Sequence, residues 1–119
     1  MRILVAEDER NLNRILTEAL TDEGYSVDPC FDGQEAWDAL ACAEYDVLVL
    51  DIMMPRMDGF QVCRKLRERG AIVPMIFLSA KGDIVDKGVG FDAGGDDYMV
   101  KPVDEEEMVL RLSLIHISE

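Results

Sequence analysis

The segment 47-VLVLDIMMPRMDGF-60 runs four apolar residues directly into Asp51 and then turns at Pro55 and Gly59. A short apolar run bounded by turn residues is typical of a strand that is buried in a sheet. Burying a carboxylate is costly unless it is paired, so an aspartate at the end of such a strand needs a chemical reason. The segment therefore predicts a buried strand that ends at a functional edge of the sheet.

Apolar runs and helical patterns alternate on both sides of this segment. Near-continuous apolar strands between amphipathic helices are typical of a parallel sheet that is covered on both faces. The 119 residues therefore predict one α/β domain, a (βα)5 doubly wound five-stranded parallel sheet. The predicted strands are 3–6, 25–30, 46–50, 73–78 and 97–100, and the predicted helices are 10–23, 33–43, 59–69, 83–93 and a last one from about 104.

The composition fits a globular protein with an acidic surface. The chain has a net charge of −13, and 49% of its residues are apolar. Such a surface repels the phosphate backbone of nucleic acids, and no apolar run reaches the roughly 18–20 residues that span a bilayer. Cys30, Cys42 and Cys63 lack C-x-x-C spacing, which favours reduced thiols. We therefore expect a cytoplasmic protein that does not itself contact DNA.

The predicted strands lead into a selective set of residues. Glu7 and Asp8 follow the first strand, Asp51 the third, Ser79 the fourth and Lys101 the fifth. Such sheets bind ligands beyond the carboxyl ends of their strands. Each residue alone is more often an ordinary loop cap, but three carboxylates in one cleft repel each other and need a proton or a cation. Oxygen ligands without histidine or thiolate favour Mg²⁺, and a carboxylate, a metal, a hydroxyl and a lysine favour phosphoryl transfer onto an aspartate.

These residues lie in motifs that resemble the receiver domain of two-component response regulators. The similarity covers roughly residues 1–111 and implies a flavodoxin-like receiver fold and a phosphoaccepting signalling domain, not a turnover enzyme. The motifs that carry the resemblance are Glu7-Asp8, DIMMPRMDGF at 51–60, SAKGD at 79–83 and GGDDYMVKP at 94–102.

The resemblance implies a metal centre at the first and third strands. By it, Asp51 is the phosphoacceptor. Asp8 and Asp51 bind Mg²⁺ together with the backbone carbonyl of Met53. Glu7, which stands where many receivers have Asp, assists through a water molecule. Pro55 and Gly59 shape the loop so that the Met53 carbonyl faces the metal.

The resemblance also assigns residues on the fourth and fifth strands. Lys101 contacts the phosphoryl group and precedes a cis bond to Pro102, which an X-Pro bond allows at modest cost. Ser79 moves toward the phosphoryl group, and Tyr98 turns inward behind it. The implied donor of the phosphoryl group is a sensor histidine kinase.

A further set of residues matches the charged dimer face of OmpR/PhoB-type regulators. These regulators form symmetric dimers through the fourth predicted helix, the fifth strand and the fifth predicted helix, and bind DNA through a winged-helix domain that this chain lacks. The expected ion pairs are Lys87 with Glu107 and Asp97 with Arg111. The full set of predicted interface residues is Lys87, Phe91, Asp96, Asp97, Glu107, Val109 and Arg111.

The last residues, 112–119, read LSLIHISE and do not match the family. A regulator of this type continues its fifth helix with basic residues, followed by a linker and the winged-helix domain. The segment resembles the translation of a sequencing adaptor. We therefore expect the receiver domain at 1–111, a non-native tail at 112–119, and a natural gene that continues beyond residue 111.

Three other functions compete with this interpretation. A stand-alone receiver that acts by protein contact or phosphorelay would need no output domain. A Mg²⁺-dependent phosphatase would carry D-x-D at its nucleophile, where this chain has Asp51-x-Met53. A flavodoxin-like flavin binder would carry a Ser/Thr/Gly phosphate loop after the first strand, where this chain has the acidic run 7–9.

Overall fold

The computed structural model describes residues 1–80 and 97–117 and places five strands in one parallel sheet, in the order β2-β1-β3-β4-β5. The predicted doubly wound α/β architecture is confirmed. The strands are β1 (Arg2–Ala6), β2 (Ser26–Cys30), β3 (Val47–Asp51), β4 (Met75–Ser79) and β5 (Asp97–Val100), and the helices of the described residues are α1 (Arg10–Asp22), α2 (Gly33–Cys42), α3 (Gly59–Glu68) and α4 (Glu105–Ile117).

The predicted helix over 83–93 lies outside the described residues. The same holds for three of the predicted dimer-face residues, namely Lys87, Phe91 and Asp96. Within the described ranges, no helix combines the length and the apolar character that crossing a bilayer requires.

The two faces of the sheet carry separate hydrophobic cores. On one face, α2 and α3 supply Ala36, Phe60 and Leu66 to a cluster with the β3 residue Leu48. On the other face, α1 and α4 supply the residues Leu16, Leu20, Met108 and Leu112. Every residue of β3 and β4 is buried. Because burying one such side chain contributes about 1.5–3 kcal/mol, these two central strands anchor the edge at which they end.

The strand ends differ by one residue from the sequence-based prediction. Asp51 and Ser79 are the last residues of β3 and β4, not the first residues after them. The parallel ladder continues past both of them, because Ile52 N–H donates to Leu78 O at 3.0 Å and Lys101 N–H donates to Ser79 O at 2.7 Å. The sheet itself, and not a mobile loop, therefore fixes these two residues.

Pro29 lies within β2, where a proline removes one ladder hydrogen bond. The sheet tolerates it because β2 is an edge strand that pairs only with β1. The weak apolar pattern of 25–30 thus reflects the edge position of this strand.

The helices begin at acidic caps. The side chains of Glu9, Asp32 and Asp58 accept backbone N–H bonds at the starts of α1, α2 and α3, and Asp58 forms a reciprocal capping box with Gln61. At α4, the Asp104 carboxylate accepts the N–H of Glu106 at 2.9 Å. Negative groups at helix N-termini satisfy unpaired N–H donors and complement the helix dipole. Four of the 25 acidic residues therefore have a structural role as helix caps.

Helix α4 is continuous through the junction between residues 111 and 112 that the sequence analysis proposed as the end of the native domain. Leu112 is fully buried in the α1–α4 core. The first residue of the proposed tail therefore packs as part of the domain.

Asn13 is a buried polar residue on the inner face of α1. Its Nδ2 donates to two backbone carbonyls, Glu7 O at 3.0 Å and Cys30 O at 2.8 Å. These carbonyls lie at the ends of β1 and β2, so one amide side chain ties both strand ends to the helix. Its 1% exposure means that water cannot replace these bonds.

We expect Asn13→Ala to lower the free energy of unfolding by about 1–3 kcal/mol, because it leaves buried acceptors without a donor. Urea denaturation measures this loss. The matched control is Asn11→Ala on the exposed face of the same helix, which should change stability by less than about 0.5 kcal/mol. Equal effects of the two substitutions would contradict this role of Asn13.

Candidate functional site

The sheet brings the predicted site residues together at the carboxyl edge of its strands. Glu7 and Asp8 follow β1, Asp51 ends the neighbouring β3, and Lys101 follows β5. One carboxylate oxygen from each of the three acids lies within 4.8 Å of the others. Glu7 and Asp51 are buried and Asp8 is exposed, so the cluster has one face open to solvent. Strand order reverses between β1 and β3, which is the usual position of ligand sites in such sheets.

Lys101 is the cation that holds the two buried acids. Its Nζ lies 2.8 Å from Glu7 Oε1 and donates to Asp51 Oδ2 at 3.0 Å. The Lys101–Pro102 peptide bond is cis, as the resemblance implies. One ammonium group thus faces two carboxylates, and Asp8 adds a third negative charge at the rim.

The loop between β3 and α3 holds the other oxygen of Asp51. Met53 N–H donates to Asp51 Oδ1 at 3.2 Å, while the Met53 side chain is 65% exposed. Gly59 closes the loop, because its N–H donates to Ile52 O at 3.0 Å. A Cβ at Gly59 would lie 2.5 Å from Asp51 O, so only glycine permits this approach.

The surroundings of Asp51 disfavour its charged form. Burial and then the neighbouring Glu7 carboxylate raise the pKa of Asp51 to about 8, although Lys101 acts in the opposite direction. Burial lowers the pKa of Lys101, but its contacts with Glu7 and Asp51 outweigh that effect and raise the pKa above its ordinary value. The metal-free site is therefore short of positive charge.

The donor atoms of the site fit a hard cation. Each of the three acids offers carboxylate oxygen, and Mg²⁺ prefers oxygen ligands at about 2.0–2.1 Å, so that opposite ligands lie about 4 Å apart. Two oxygens at this edge, Glu7 Oε1 and Ser79 Oγ, are buried without a hydrogen bond in the described part of the chain. The contact of Glu7 Oε1 with Lys101 is thus an ion pair without hydrogen-bond geometry. Ser79 Oγ is therefore the oxygen of the two that lacks a partner among the described residues, which is unusual for a buried hydroxyl.

The two predicted switch residues lie on neighbouring strands. Ser79 is 1% exposed at the end of β4, and Tyr98 is 8% exposed on β5. The ring of Tyr98 packs on Phe77 at 5.6 Å between centroids, and Phe77 in turn packs edge-on against Phe60 at 5.0 Å. The Tyr98 side chain therefore lies inside the α2–α3 core in this structure.

The described part of the predicted dimer face is held together within one chain. Arg111 forms an ion pair with Asp97 on β5 and donates to Glu107 on its own helix at 2.8 Å. The hydrogen bonds to Asp97 and Glu107 raise the pKa of Arg111, and their effect outweighs that of burial, which lowers it. Val109 is half-buried and packs against the core between α1 and α4. Arg111 thus links α4 to the strand that leads to Lys101.

Sequence reasoning missed three contacts in this region. They are the direct ion pair of Lys101 with Glu7, the Met53 N–H bond to Asp51, and the Asn13 bond to Glu7 O. Only the last had a signal in the sequence. Asn13 lies on the helical stripe of Leu16 and Leu20, so a polar residue at this inner position indicates a buried partner.

Comparisons with known proteins agree on one family. The family model of the response regulator receiver domain matches residues 3–113. The response regulator ArlR of Staphylococcus aureus is 45% identical over 114 residues, which are 96% of this chain and 52% of that protein. The chain therefore spans about half the length of this curated relative.

Solved structures give the same result. A Francisella response regulator receiver domain has a TM-score of 0.92 at 32% identity, over 98% of this chain and 97% of that one. The receiver domain of a signal transduction histidine kinase from Syntrophus aciditrophicus has a TM-score of 0.85 at 28% identity, over 96% and 88%. Receiver domains of a response regulator and of a histidine kinase thus both share this fold.

We expect the titration of Asp51 to lower the stability of the protein without Mg²⁺ as the pH rises from about 4 to about 8. The raised pKa of Asp51 means that the folded chain keeps a proton that the unfolded chain has released, so raising the pH favours unfolding. Asp51→Asn removes this titration. Its advantage over the wild type should grow by about 3–4 kcal/mol between pH 5 and pH 8, because each pH unit below the raised pKa contributes about 1.4 kcal/mol.

Urea denaturation with EDTA at both pH values measures this difference. The control is Asp38→Asn, an exposed acid on α2, which should follow the wild type at both pH values. A parallel pH dependence of Asp51→Asn and wild type would contradict the raised pKa.

Proposed function

The chain belongs to the family of response regulator receiver domains, and from this premise we propose that Asp51 accepts a phosphoryl group. The observation that carries the proposal is the position of Asp51. It is 2% exposed at the end of a central strand, with a lysine, two further carboxylates and a buried hydroxyl around it. Members of this family are signalling domains, so the acceptor role fits better than turnover of a substrate.

Mg²⁺ is the proposed partner of the carboxylates. Asp8 and Asp51 would bind it with the Met53 carbonyl, and Glu7 would assist from the side of Lys101. When bound, the metal neutralises charge on the transferred group. The convergence of three carboxylates and the raised pKa of Asp51 support this assignment.

The remaining residues supply orientation. Met53 N–H already holds Asp51 Oδ1, which leaves Oδ2 to attack phosphorus once Lys101 turns to the phosphoryl oxygens. The new P–O bond forms as the bond from phosphorus to the donor group breaks, and the product is an acyl phosphate. A sensor histidine kinase is the proposed donor, in the cytoplasm.

The proposed switch uses the buried hydroxyl of Ser79. Its Oγ has no hydrogen-bond partner among the described residues, and it ends the strand beside that of Asp51. We propose that it binds a phosphoryl oxygen and that Tyr98, on the adjoining β5, responds. Inverting a 99:1 equilibrium in this way requires about 5.5 kcal/mol of preference for the active state.

The proposed output is dimerisation of an OmpR/PhoB-type transcription regulator. The face would include Asp97, Glu107, Val109 and Arg111, and DNA contact would belong to a further domain. Two observations support this. The chain spans about half of a response regulator relative, and Arg111 joins this face to β5, whose end leads to Lys101. The alternative is a stand-alone receiver, and sequencing the gene past residue 119 distinguishes the two.

We expect one phosphoryl group on the wild-type protein after incubation with acetyl phosphate and Mg²⁺. Intact mass spectrometry measures it, and Asp51→Asn and EDTA should each abolish it. Phosphorylation of Asp51→Asn to the wild-type level would show that another residue is the acceptor.

Lys101→Ala is expected to slow this phosphorylation by about 100-fold, because removing one positioned charge from a reaction centre typically has an effect of that size. The rate of mass increase gives the measurement. Lys65→Ala is the matched control, because Lys65 is exposed on α3 and lies over the Trp37 ring, away from the site. An equal rate for both variants would remove Lys101 from the mechanism.

Phosphorylation should shift the protein from monomer to dimer in sedimentation velocity. Arg111→Ala should weaken the dimer severalfold while leaving phosphorylation unchanged, because exposed ion pairs contribute only about 0–1 kcal/mol each. Arg14→Ala on the exposed side of α1 is the control. A phosphorylated wild type that stays monomeric at high concentration would contradict the dimer and favour the stand-alone receiver.

A further inference from the structure

The start of α2 and the loop between β3 and α3 approach each other more closely than side chains allow. A Cβ built at Gly33 would lie 1.7 Å from Met57 O, 2.5 Å from its carbonyl carbon and 2.6 Å from its Cβ. Real Cβ atoms essentially never come within 3.0 Å of such atoms. The atoms in the way are mainly backbone, so a side-chain rotation cannot relieve the collision. The glycine is therefore required by contact and not by its own backbone angles.

Other bonds tie the same loop to the same helix end. Gly33 N–H donates to Pro55 O at 3.4 Å, and Met57 N–H donates to the same oxygen at 2.8 Å. Between them, Arg56 adopts a φ of 70°, and its Nε lies 3.6 Å from Asp32, the residue that caps α2. A non-glycine residue at positive φ is costly and persists only where its surroundings fix it. The loop is thus shaped against α2.

This loop is also the one that holds Asp51. Its first part carries the Met53 N–H that binds Asp51 Oδ1 at 3.2 Å. Its last residue before the helix, Asp58, leads to Gly59, which lies against the Asp51 backbone. Glycines therefore permit close packing at two points of the loop. Gly59 lies against the backbone of Asp51 in β3, and Gly33 of α2 lies against Met57.

We propose that Gly33 is a positioning residue for the acceptor site: its lack of a side chain lets α2 hold the loop over 52–58 in the conformation that orients the Asp51 carboxylate. The contacts through which Gly33 would act are those with Pro55 and Met57. The expected effect of Gly33 on Mg²⁺ binding rests on the proposed function. Its expected effect on the loop in the absence of metal does not.

The test compares Gly33→Ala with Gly70→Ala in the full chain. Gly70 ends α3 with a φ of +83° and has nothing within 4 Å of its Cβ position, so alanine there is strained but displaces no neighbour. Both variants should lose stability. Only Gly33→Ala should disturb the loop. The comparison therefore distinguishes a role in positioning the loop from a general loss of stability.

The first readout needs no metal. In Gly33→Ala, amide hydrogen exchange of Met57 and Gly59 should be at least about 10-fold faster than in wild type with EDTA, because their bonds within the loop open locally. In Gly70→Ala these amides should change no more than the slowest core amides do. Equal protection of the loop in Gly33→Ala and wild type would overturn the proposal.

The second readout is Mg²⁺ affinity, followed by the NMR shift of the Met53 amide. Gly33→Ala should weaken binding by about 10-fold, which is typical when a group that orients a metal ligand is lost, and Gly70→Ala should leave it within about 2-fold of wild type. A wild type that does not bind Mg²⁺ contradicts the proposed function, while faster exchange of the loop in Gly33→Ala still supports the positioning role. Unchanged exchange and unchanged affinity in Gly33→Ala contradict the positioning role alone.

If Gly33→Ala does not fold, Arg56→Ala gives the same comparison, because Arg56 is exposed and forms an ion pair with Asp32 that its loss removes. Met57 exchange should rise by about 3-fold, a local opening that Arg64→Ala on the exposed face of α3 should not cause. Removing a positive charge would by itself strengthen Mg²⁺ binding, so weaker binding in Arg56→Ala supports positioning. Tighter binding with unchanged exchange would overturn it.

Discussion

One ammonium group from the end of the sheet lies between two buried carboxylates from its centre. Lys101 Nζ is 2.8 Å from Glu7 and 3.0 Å from Asp51. Glu7 follows β1, Asp51 ends β3 and Lys101 follows β5. At an effective dielectric constant near 20, each such pair attracts by several kcal/mol, but the two acids also repel each other. This arrangement of one cation between two acids requires β1, β3 and β5 to end at the same edge, so it depends on the whole sheet. One cation cannot neutralise two buried anions and a third at the rim. The site therefore favours a proton on Asp51 or, in place of that proton, a second cation.

Strand β5 connects this charge balance to the outer surface of the domain. In four residues it carries Asp97, which binds Arg111 of α4, and Tyr98, whose ring packs on Phe77. Its end leads into Lys101, whose N–H continues the ladder with Ser79 O at 2.7 Å. A change in what Lys101 binds therefore acts on the same short segment that supports α4. This is a physical connection between site and surface, and coupling along it requires two alternative arrangements of these contacts.

The sequence predicted the order and type of every element in the described residues, because buried strands and amphipathic helices leave periodic patterns. It also placed Glu7, Asp8, Asp51, Ser79 and Lys101 at one edge, since parallel strands share their carboxyl ends. It did not predict that Lys101 binds Glu7 directly, because an ion pair between distant strands leaves no periodic trace. The close approach at Gly33 was missed for a related reason. A glycine at a helix start has several uses, and only the opposing backbone of Met57 shows which one applies.

The most direct test of this account is the number of protons released when Mg²⁺ binds. With its pKa raised to about 8, Asp51 is mostly protonated at pH 7 in the metal-free protein, and it must lose that proton to bind a metal. Calorimetric titration at pH 7 in two buffers of different ionisation enthalpy gives the proton count. We expect one Mg²⁺ per chain with release of close to one proton at pH 7, falling toward zero above about pH 9, and no release from Asp51→Asn. Saturable binding without proton release at pH 7, or no saturable binding by the folded protein, would contradict it.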